Sequence, residues 1–489
     1  MRQLNLQALM TKASGQAKYL QLTSAIRESI KRGLLTAQER LPSARELALQ
    51  LSLNRHTVMA AYQELIAQGW LYSEPRKGYF VSKLLPIDSS DTTQQLADKK
   101  QSSGFNWQFT RAIAAPNLES SDSYPYNFAG GTPDVALFPF NDFKSYVSES
   151  LTRPNIANLH YGNNAGFPDL IEQVSLYLRR TRSLTGRQIL ITNGSQEALY
   201  ILSQLLLNEH SSVATEAMGY APAWQSFRSA GANLVAIAQD EQGLIPAAFE
   251  QAIIEQQHLK PIKLLYLTPL HQYPTTVTLT MARRHQIYRI AQRHNIAIIE
   301  DDYDHEFHYR CQPLAPMASD DPSGLVIYLS TFSKVMFPGA RIGFMALDKQ
   351  LSDAVIGYKT IMNHKVSTPM QDAIARWMKS GAFERHLRKV TKTYHQRRDF
   401  MTQLLNDYKA SGQVVAFNEP DGGMAMWVEI NQSAAQLAVK AKNQGIYLQH
   451  EGLFCLPPHQ NQDRFIRLGY AGMDEEKLKA GLALLFQAN

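Results

Sequence analysis

The chain has 489 residues, 44% hydrophobic and 19% charged, with a formal net charge of +6; this allows two or three domains with ample cores and excludes a disordered or fibrous chain. No apolar run approaches the roughly 20 residues that cross a bilayer, and no secretory leader is legible at the N-terminus. Two cysteines, Cys311 and Cys455, form neither a disulfide framework nor a metal cluster, so a cytoplasmic protein with no membrane partner is expected.

The charge is unevenly placed. Residues 1–83 carry 12 Lys/Arg against 5 Asp/Glu, and the remaining residues carry 37 against 38. A small basic module beside a neutral large one suggests a polyanion partner for the first, although a solvated face gives the same asymmetry.

In the first module, residues 14–83, Leu22, Ile26 and Ile30 mark an amphipathic helix ending near Gly33. Ser43-Ala-Arg-Glu46 is a capping box opening a short helix to about Leu51. The turn Ser52-Leu53-Asn54 leads to a third helix, with Asn54 as N-cap, Val58, Tyr62 and Leu65 as its buried stripe, and Gly69 closing it. Strands Leu71–Ser73 and Tyr79–Ser82 follow, joined by Glu74-Pro-Arg-Lys-Gly78. Three helices with a tight turn and a basic hairpin form a winged helix-turn-helix pattern. Arg55, His56 and Thr57 then lie on the first turn of the recognition helix, where base edges of double-stranded DNA are read. Arg45, Arg76 and Lys77 can neutralise phosphates, and Ser43 at a helix start can donate to one.

Leu41-Pro-Ser-Ala-Arg-Glu-Leu-Ala48, Asn54-Arg-His-Thr-Val58, Tyr62, Gly69 and Lys77-Gly-Tyr-Phe-Val81 together resemble the DNA-binding domain of GntR-family regulators. Residues 84–124 read as a flexible linker, with Ser, Asp, Gln, Thr and Lys dominating Ile87–Ser103. Some 40 residues, fully stretched, reach roughly 130–140 Å. Phe105, Trp107 and Phe109 alternate with polar residues, as in a short docking arm.

From residue 125 to 489, strand-like apolar runs alternate with longer amphipathic stretches, the pattern of an α/β domain. Ile189–Thr192 reads as a strand that turns at Asn193-Gly194 into a helix beginning Ser195-Gln196-Glu197. Such a helix start is an anion cup or simply a capped end. Tyr220 offers a face for stacking, or is core. Ile296–Glu300 is a buried strand ending in Asp301-Asp-Tyr-Asp304; a carboxylate there can hold a ring nitrogen protonated, and a loop or capping role suits Asp304 better than Asp301. Tyr303 could donate to a phenolate oxygen on the same ring. Leu325–Leu329 is a further buried strand, followed by Ser330, Thr331, Ser333, Lys334 and, seven residues on, Arg341. A lysine at that place lies where open α/β sheets bind ligands, and desolvation makes its amine a candidate for Schiff-base chemistry. Thr331, Ser333 and Arg341 are anion binders beside it. Arg467, in Arg464-Phe-Ile-Arg-Leu-Gly469, suits bidentate capture of a carboxylate, unless it forms a structural ion pair.

An imine-forming lysine, a ring-nitrogen acid, a phosphate cup and a carboxylate-binding arginine together describe pyridoxal 5′-phosphate. Their order resembles fold-type I aminotransferases over essentially all of residues 125–485. The resemblance implies that Lys334 forms the internal aldimine and that Arg341, Thr331, Ser333, Ser195 and Gln196 hold the phosphate. It places Asp301 at the pyridine nitrogen, Tyr303 at the 3′-oxygen and Arg467 on an amino-acid carboxylate. It also gives Tyr161, in Tyr161-Gly-Asn-Asn-Ala-Gly166, to the partner subunit's phosphate, which implies a homodimer. One departure stands out. Aminotransferases carry Asn-Pro-Thr-Gly where this chain has Tyr273-Pro-Thr-Thr276, preceded by His271-Gln272, so a hydrogen bond to the cofactor's 3′-oxygen is lost. That string, with Glu300-Asp-Asp-Tyr-Asp-His-Glu-Phe307 and Thr331-Phe-Ser-Lys334, is similar to MocR/GabR-type regulators. The resemblance implies a regulator that binds promoter DNA and senses pyridoxal phosphate, γ-aminobutyrate, taurine or a D-amino acid. An active aminotransferase with an accessory DNA-binding domain is the alternative.

Overall fold

The structure is a computed structural model that describes residues 17–85, 123–152, 160, 162–310, 313–457 and 462–487. It divides into two compact units, residues 1–116 and 117–489. The expected linker core, the Phe105–Phe109 arm and Tyr161 lie outside the described residues.

In the first unit, α1 (Lys18–Lys31) buries Leu22, Ile26 and Ile30 as the four-residue spacing predicts. The chain then opens α2 (Ala44–Leu51) with both halves of the Ser43–Glu46 capping box formed. Ser52 turns the chain with a left-handed φ of 53°, and Asn54 caps α3 (Arg55–Ala67) by accepting from the His56 amide. Val58, Tyr62 and Leu65 on α3 are fully buried against Leu22 and Ile26, each contributing about 1.5–3 kcal/mol. Tyr62 satisfies its hydroxyl on the Pro42 carbonyl, 2.9 Å away. The hairpin is tighter than expected: β1 (Leu71–Glu74) and β2 (Gly78–Val81) pair from Leu71↔Val81 to Glu74↔Gly78. Only Pro75, Arg76 and Lys77 remain to turn, which drives Arg76 to φ 63° and Gly78 to φ 115°.

The second unit is built on a seven-stranded sheet. In chain order its strands are β3 (Gln188–Thr192), β4 (Ser212–Glu216), β5 (Asn233–Ile237), β6 (Ile262–Leu267), β7 (Ala297–Asp301), β8 (Val326–Thr331) and β9 (Gly343–Leu347). Across the sheet they run β3-β9-β8-β7-β6-β4-β5. Only β9 is antiparallel to its neighbours. β8 is buried along its whole length, as an unbroken apolar run in a sheet covered on both faces requires. It extends two residues beyond the expected Leu325–Leu329 run because β9 pairs with Ser330 and Thr331. The Ser330 hydroxyl is satisfied by the Asp302 carbonyl at 2.7 Å. Helices α4 (Ser195–Leu206) and α5 (Ala221–Ser229) follow β3 and β4, and α6 (Ala382–Ala410) leads to a four-stranded antiparallel sheet. Its strands β10 (Val414–Phe417), β11 (Ala425–Ile430), β12 (Gln449–His450) and β13 (Phe465–Gly469) lie in the order β10-β11-β13-β12.

Candidate functional site

Parallel pairing of β6, β7 and β8, and of β3 with them through the antiparallel β9 between, brings their carboxyl ends to one edge of the large sheet, the place where such sheets bind ligands. A cavity of about 200 Å³ opens there, with Ser195, Gln196, Tyr220, Asp301, Tyr303, Thr331, Ser333, Lys334 and Arg341 in its wall. Nine of the residues that the sequence singled out therefore share one small space. Lys334 ends a 3₁₀ turn, Phe332–Lys334, that the Thr331 hydroxyl caps by accepting from the Ser333 amide. The lysine amine donates to the Gly131 carbonyl at 2.7 Å. Burial and the nearby Arg467 bring it down to about 8 from an ordinary 10.5, so a much larger fraction is the neutral nucleophile near neutral pH.

Asp301 is buried at the end of β7, and burial raises its carboxyl to about 7 against the opposing effect of the Tyr266 hydroxyl. That hydroxyl donates to Oδ2 at 2.8 Å, while Oδ1 has no partner. Tyr303 donates to the His271 carbonyl at 3.0 Å. His271 in turn meets Asp304, Nδ1 to Oδ1, at 2.7 Å, which gives Asp304 a structural partner. Gln272 donates to the Met218 and Tyr273 carbonyls and accepts from Thr275. The His-Gln pair is thus the framework of the turn.

The anion cup has a built shape. Gly194 has φ 79° and precedes the free amides of α4. A Cβ there would lie 2.8 Å from the Arg341 guanidinium, which would have to shift, and the left-handed φ strains any other residue. Arg341 donates to the Asn193 carbonyl at 2.9 Å. Gln196 turns its side-chain amide to Pro222 and Ser226 on α5, leaving its backbone N–H for the cup. Thr331 donates toward Ser333 and Ile342.

Arg467, on β13, is 1% exposed. Its guanidinium lies over the Tyr273 ring, 4.4 Å from the centroid, and donates through Nε to the Pro274 carbonyl at 3.2 Å. Nη1 has no partner, and no ion pair reaches this arginine among the described residues. Of the other buried arginines, Arg182 pairs with Asp302, Arg397 with Asp134 and Arg398 with Glu419, and Arg284 spends its donors on the Leu279, Ala315 and Pro269 carbonyls. Tyr273 also meets Tyr220 at 5.5 Å and Phe454 at 5.4 Å edge-on. An aromatic cluster therefore occupies the position where the resemblance leads one to look for asparagine.

The sequence reading missed Tyr266, Thr268, Gly130 and Glu216. Thr268 and Gly130 line the cavity, and a Cβ at Gly130 would lie 1.8 Å from Arg467 Nη1. Glu216, raised to about 7 by burial, accepts from the Thr268 amide and hydroxyl behind the wall. The Gly130-Gly131 pair was the one legible signal.

In the first unit, Ser43, Arg45, Arg55, His56, Arg76 and Lys77 are exposed and Thr57 is half-buried. Lys77 is ion-paired with Glu74 at 2.8 Å.

Comparison with known proteins agrees with both halves. Residues 18–81 match the model of bacterial regulatory proteins of the gntR family, and residues 144–485 match aminotransferase class I and II. The large unit superposes on Pyrococcus horikoshii kynurenine aminotransferase in complex with PMP, with a TM-score of 0.69 and 28% identity over 75% of this chain and 90% of that one. LysN of Thermus thermophilus, an α-aminoadipate aminotransferase complexed with N-(5′-phosphopyridoxyl)-L-leucine, gives 0.67 and 26% over 76% and 94%. A winged helix-turn-helix joined to a fold-type I aminotransferase domain defines a two-part DNA-binding regulator. Similarity to one full-length relative covers both parts: the probable rhizopine catabolism regulatory protein MocR of Rhizobium meliloti is 30% identical over 96% of this chain and 93% of its own. The HTH-type transcriptional regulator TauR of Rhodobacter capsulatus is 26% identical over 96% of each. The chain belongs to the MocR-type family of transcriptional regulators.

Proposed function

We propose that the large unit binds pyridoxal 5′-phosphate and that the cofactor, or a small amine or amino acid meeting it there, is the signal that alters promoter binding. The observation that supports this reading is the meeting, in one cavity, of an amine of lowered pKa and a buried carboxylate oxygen without a protein partner. The residues present fit the group. Lys334 would attach it, Asp301 Oδ1 would face its ring nitrogen, and Arg341, Ser195 and Ser333 with the first amides of α4 would hold its phosphate. When bound, pyridoxal phosphate supplies an electron-withdrawing ring and a carbonyl carbon that primary amines attack. Arg467 orients a carboxylate through Nη1, and the aromatic wall of Tyr220, Tyr273 and Phe454 limits access of water on that side.

Ser43, Arg45, Arg55, His56, Thr57, Arg76 and Lys77 form the DNA face of the first unit in this reading. A ligand changes DNA affinity only through different affinities for two arrangements of the protein. A homodimer, with Tyr161 serving the partner subunit's site, is part of the same proposal.

The test is direct. Wild-type protein mixed with pyridoxal phosphate develops the visible absorption of a lysine-bound cofactor, and Lys334→Ala does not. Amines that change that absorption then change anisotropy of labelled promoter DNA. No absorption change in the wild type overturns the reading. Sustained multiple turnovers with an amino acid and a keto acid would establish the catalytic alternative.

A further inference from the structure

We infer that Tyr266 is a positioning residue for Asp301, anchoring one carboxylate oxygen so that the other is aimed at the cofactor's ring nitrogen; this rests on the cofactor reading above. Tyr266 lies on β6 directly opposite Ile299 of β7. Asp301 is two residues beyond Ile299, so the period-2 alternation of a strand puts both side chains on one sheet face. The Tyr266 hydroxyl donates to Asp301 Oδ2 at 2.8 Å and is the only hydrogen bond to that side chain among the described residues. Oδ1 is left buried and unpartnered at the cavity wall.

The tyrosine itself is held. It is 2% exposed, and its ring meets Phe227 of α5 edge-on at 5.6 Å. A carboxylate anchored at one oxygen by a fixed donor loses rotational freedom, and its second oxygen points in one direction. The other groups that act on Asp301 are charges: Asp302 and Asp304 disfavour its ionised form, and Lys334 favours it. Tyr266 supplies direction as well as stabilisation.

The consequence is electronic. A donor to a carboxylate favours its charged form, and a charged Asp301 holds a ring nitrogen protonated. With the cofactor bound, such a positive ring would disfavour a further proton on the Lys334 nitrogen that holds it. Loss of the hydroxyl therefore raises the pH at which the visible absorption of the bound cofactor changes.

Tyr266→Phe keeps the ring and removes only the donor. In full-length protein loaded with pyridoxal phosphate, we expect the midpoint pH of the visible band to rise by about one unit. The cofactor's dissociation constant should rise about tenfold, the size of one hydrogen bond to a charged group. In an Asp301→Asn background the same change should move neither quantity, because Tyr266 acts through Asp301. An unchanged midpoint and affinity in Tyr266→Phe overturns the inference. So does an equal shift in the Asp301→Asn background, which would mark a purely structural role. A wild type with no Lys334-dependent band overturns the cofactor reading instead.

Discussion

Thr276 has φ 64° in a turn knitted by the Gln272 carbonyl, which accepts its amide at 2.7 Å. A β-branched residue in the left-handed region is strained by about 1–2 kcal/mol, and glycine is not. Thr276→Gly should therefore raise the unfolding free energy by about 1 kcal/mol, after the entropy that glycine costs in the unfolded chain; denaturant titration checks it. Arg467 makes a second prediction. Arg467→Met removes the unpaired Nη1 donor, so an amino acid should lose its advantage over the matching amine without a carboxylate. A loss of about tenfold or more is expected from a charged hydrogen bond, read as the concentration that half-changes the cofactor's absorption. At this scale the sequence disclosed residues whose chemistry is unusual where they stand. Lys334 after an apolar strand, Asp301 at a strand end and Arg341 in a loop of small residues each stand out. Tyr266 and Glu216 did not, because a tyrosine or lone acid inside an apolar strand reads as core until strand register shows what faces it.

Among elements, the hairpin β1–β2 shows how three turn residues divide their work. Arg76 stands exposed at the tip, and Lys77 is tied to Glu74. Arg76→Ala should lower the slope of log affinity against log salt for promoter DNA by about 0.9, the value of one phosphate contact, and Lys77→Ala by less. Glu74→Gln should tighten binding by a few-fold at most (roughly fivefold), since it frees Lys77 from an exposed, solvent-screened pair. Helices were the most legible elements. The capping box at Ser43 and the Asn54 cap name their own starts. Strand ends were less legible: Ser330 and Thr331 look like loop until β9, which is remote in local pattern, pairs with them.

For the whole molecule, the division of charge was readable as a count, whereas the polar framework beneath the sheet was not. The side chains of Arg182 and Asp302 are both within 2% of full burial, and the Tyr328 hydroxyl donates to the same carboxylate at 2.7 Å. Burial works against the Asp302 charge, but Arg182, His305 and Tyr328 outweigh it and hold the carboxyl down to about 2. A carboxyl depressed in the folded state adds stability above its unfolded value near 4, and that contribution is lost as pH falls toward 2. Asp302→Asn should cost about 3–5 kcal/mol at neutral pH by stranding a buried guanidinium. Its stability should also fall less steeply than wild type below pH 4. Urea titrations of both proteins across that range provide the check. Arg182, Asp302 and Tyr328 come to this point from separate elements far apart in the chain, so no local pattern could announce the pair.

The unpaired guanidinium of Arg467 has a practical side. A buried cation with a vacant donor attracts small carboxylates of suitable shape, whatever their biological meaning. If Arg467 takes a carboxylate as proposed, acetate, citrate or succinate in a purification buffer would compete for it. Screening in chloride with a tertiary-amine buffer that carries neither carboxylate nor sulfonate removes that competition from any affinity measured there.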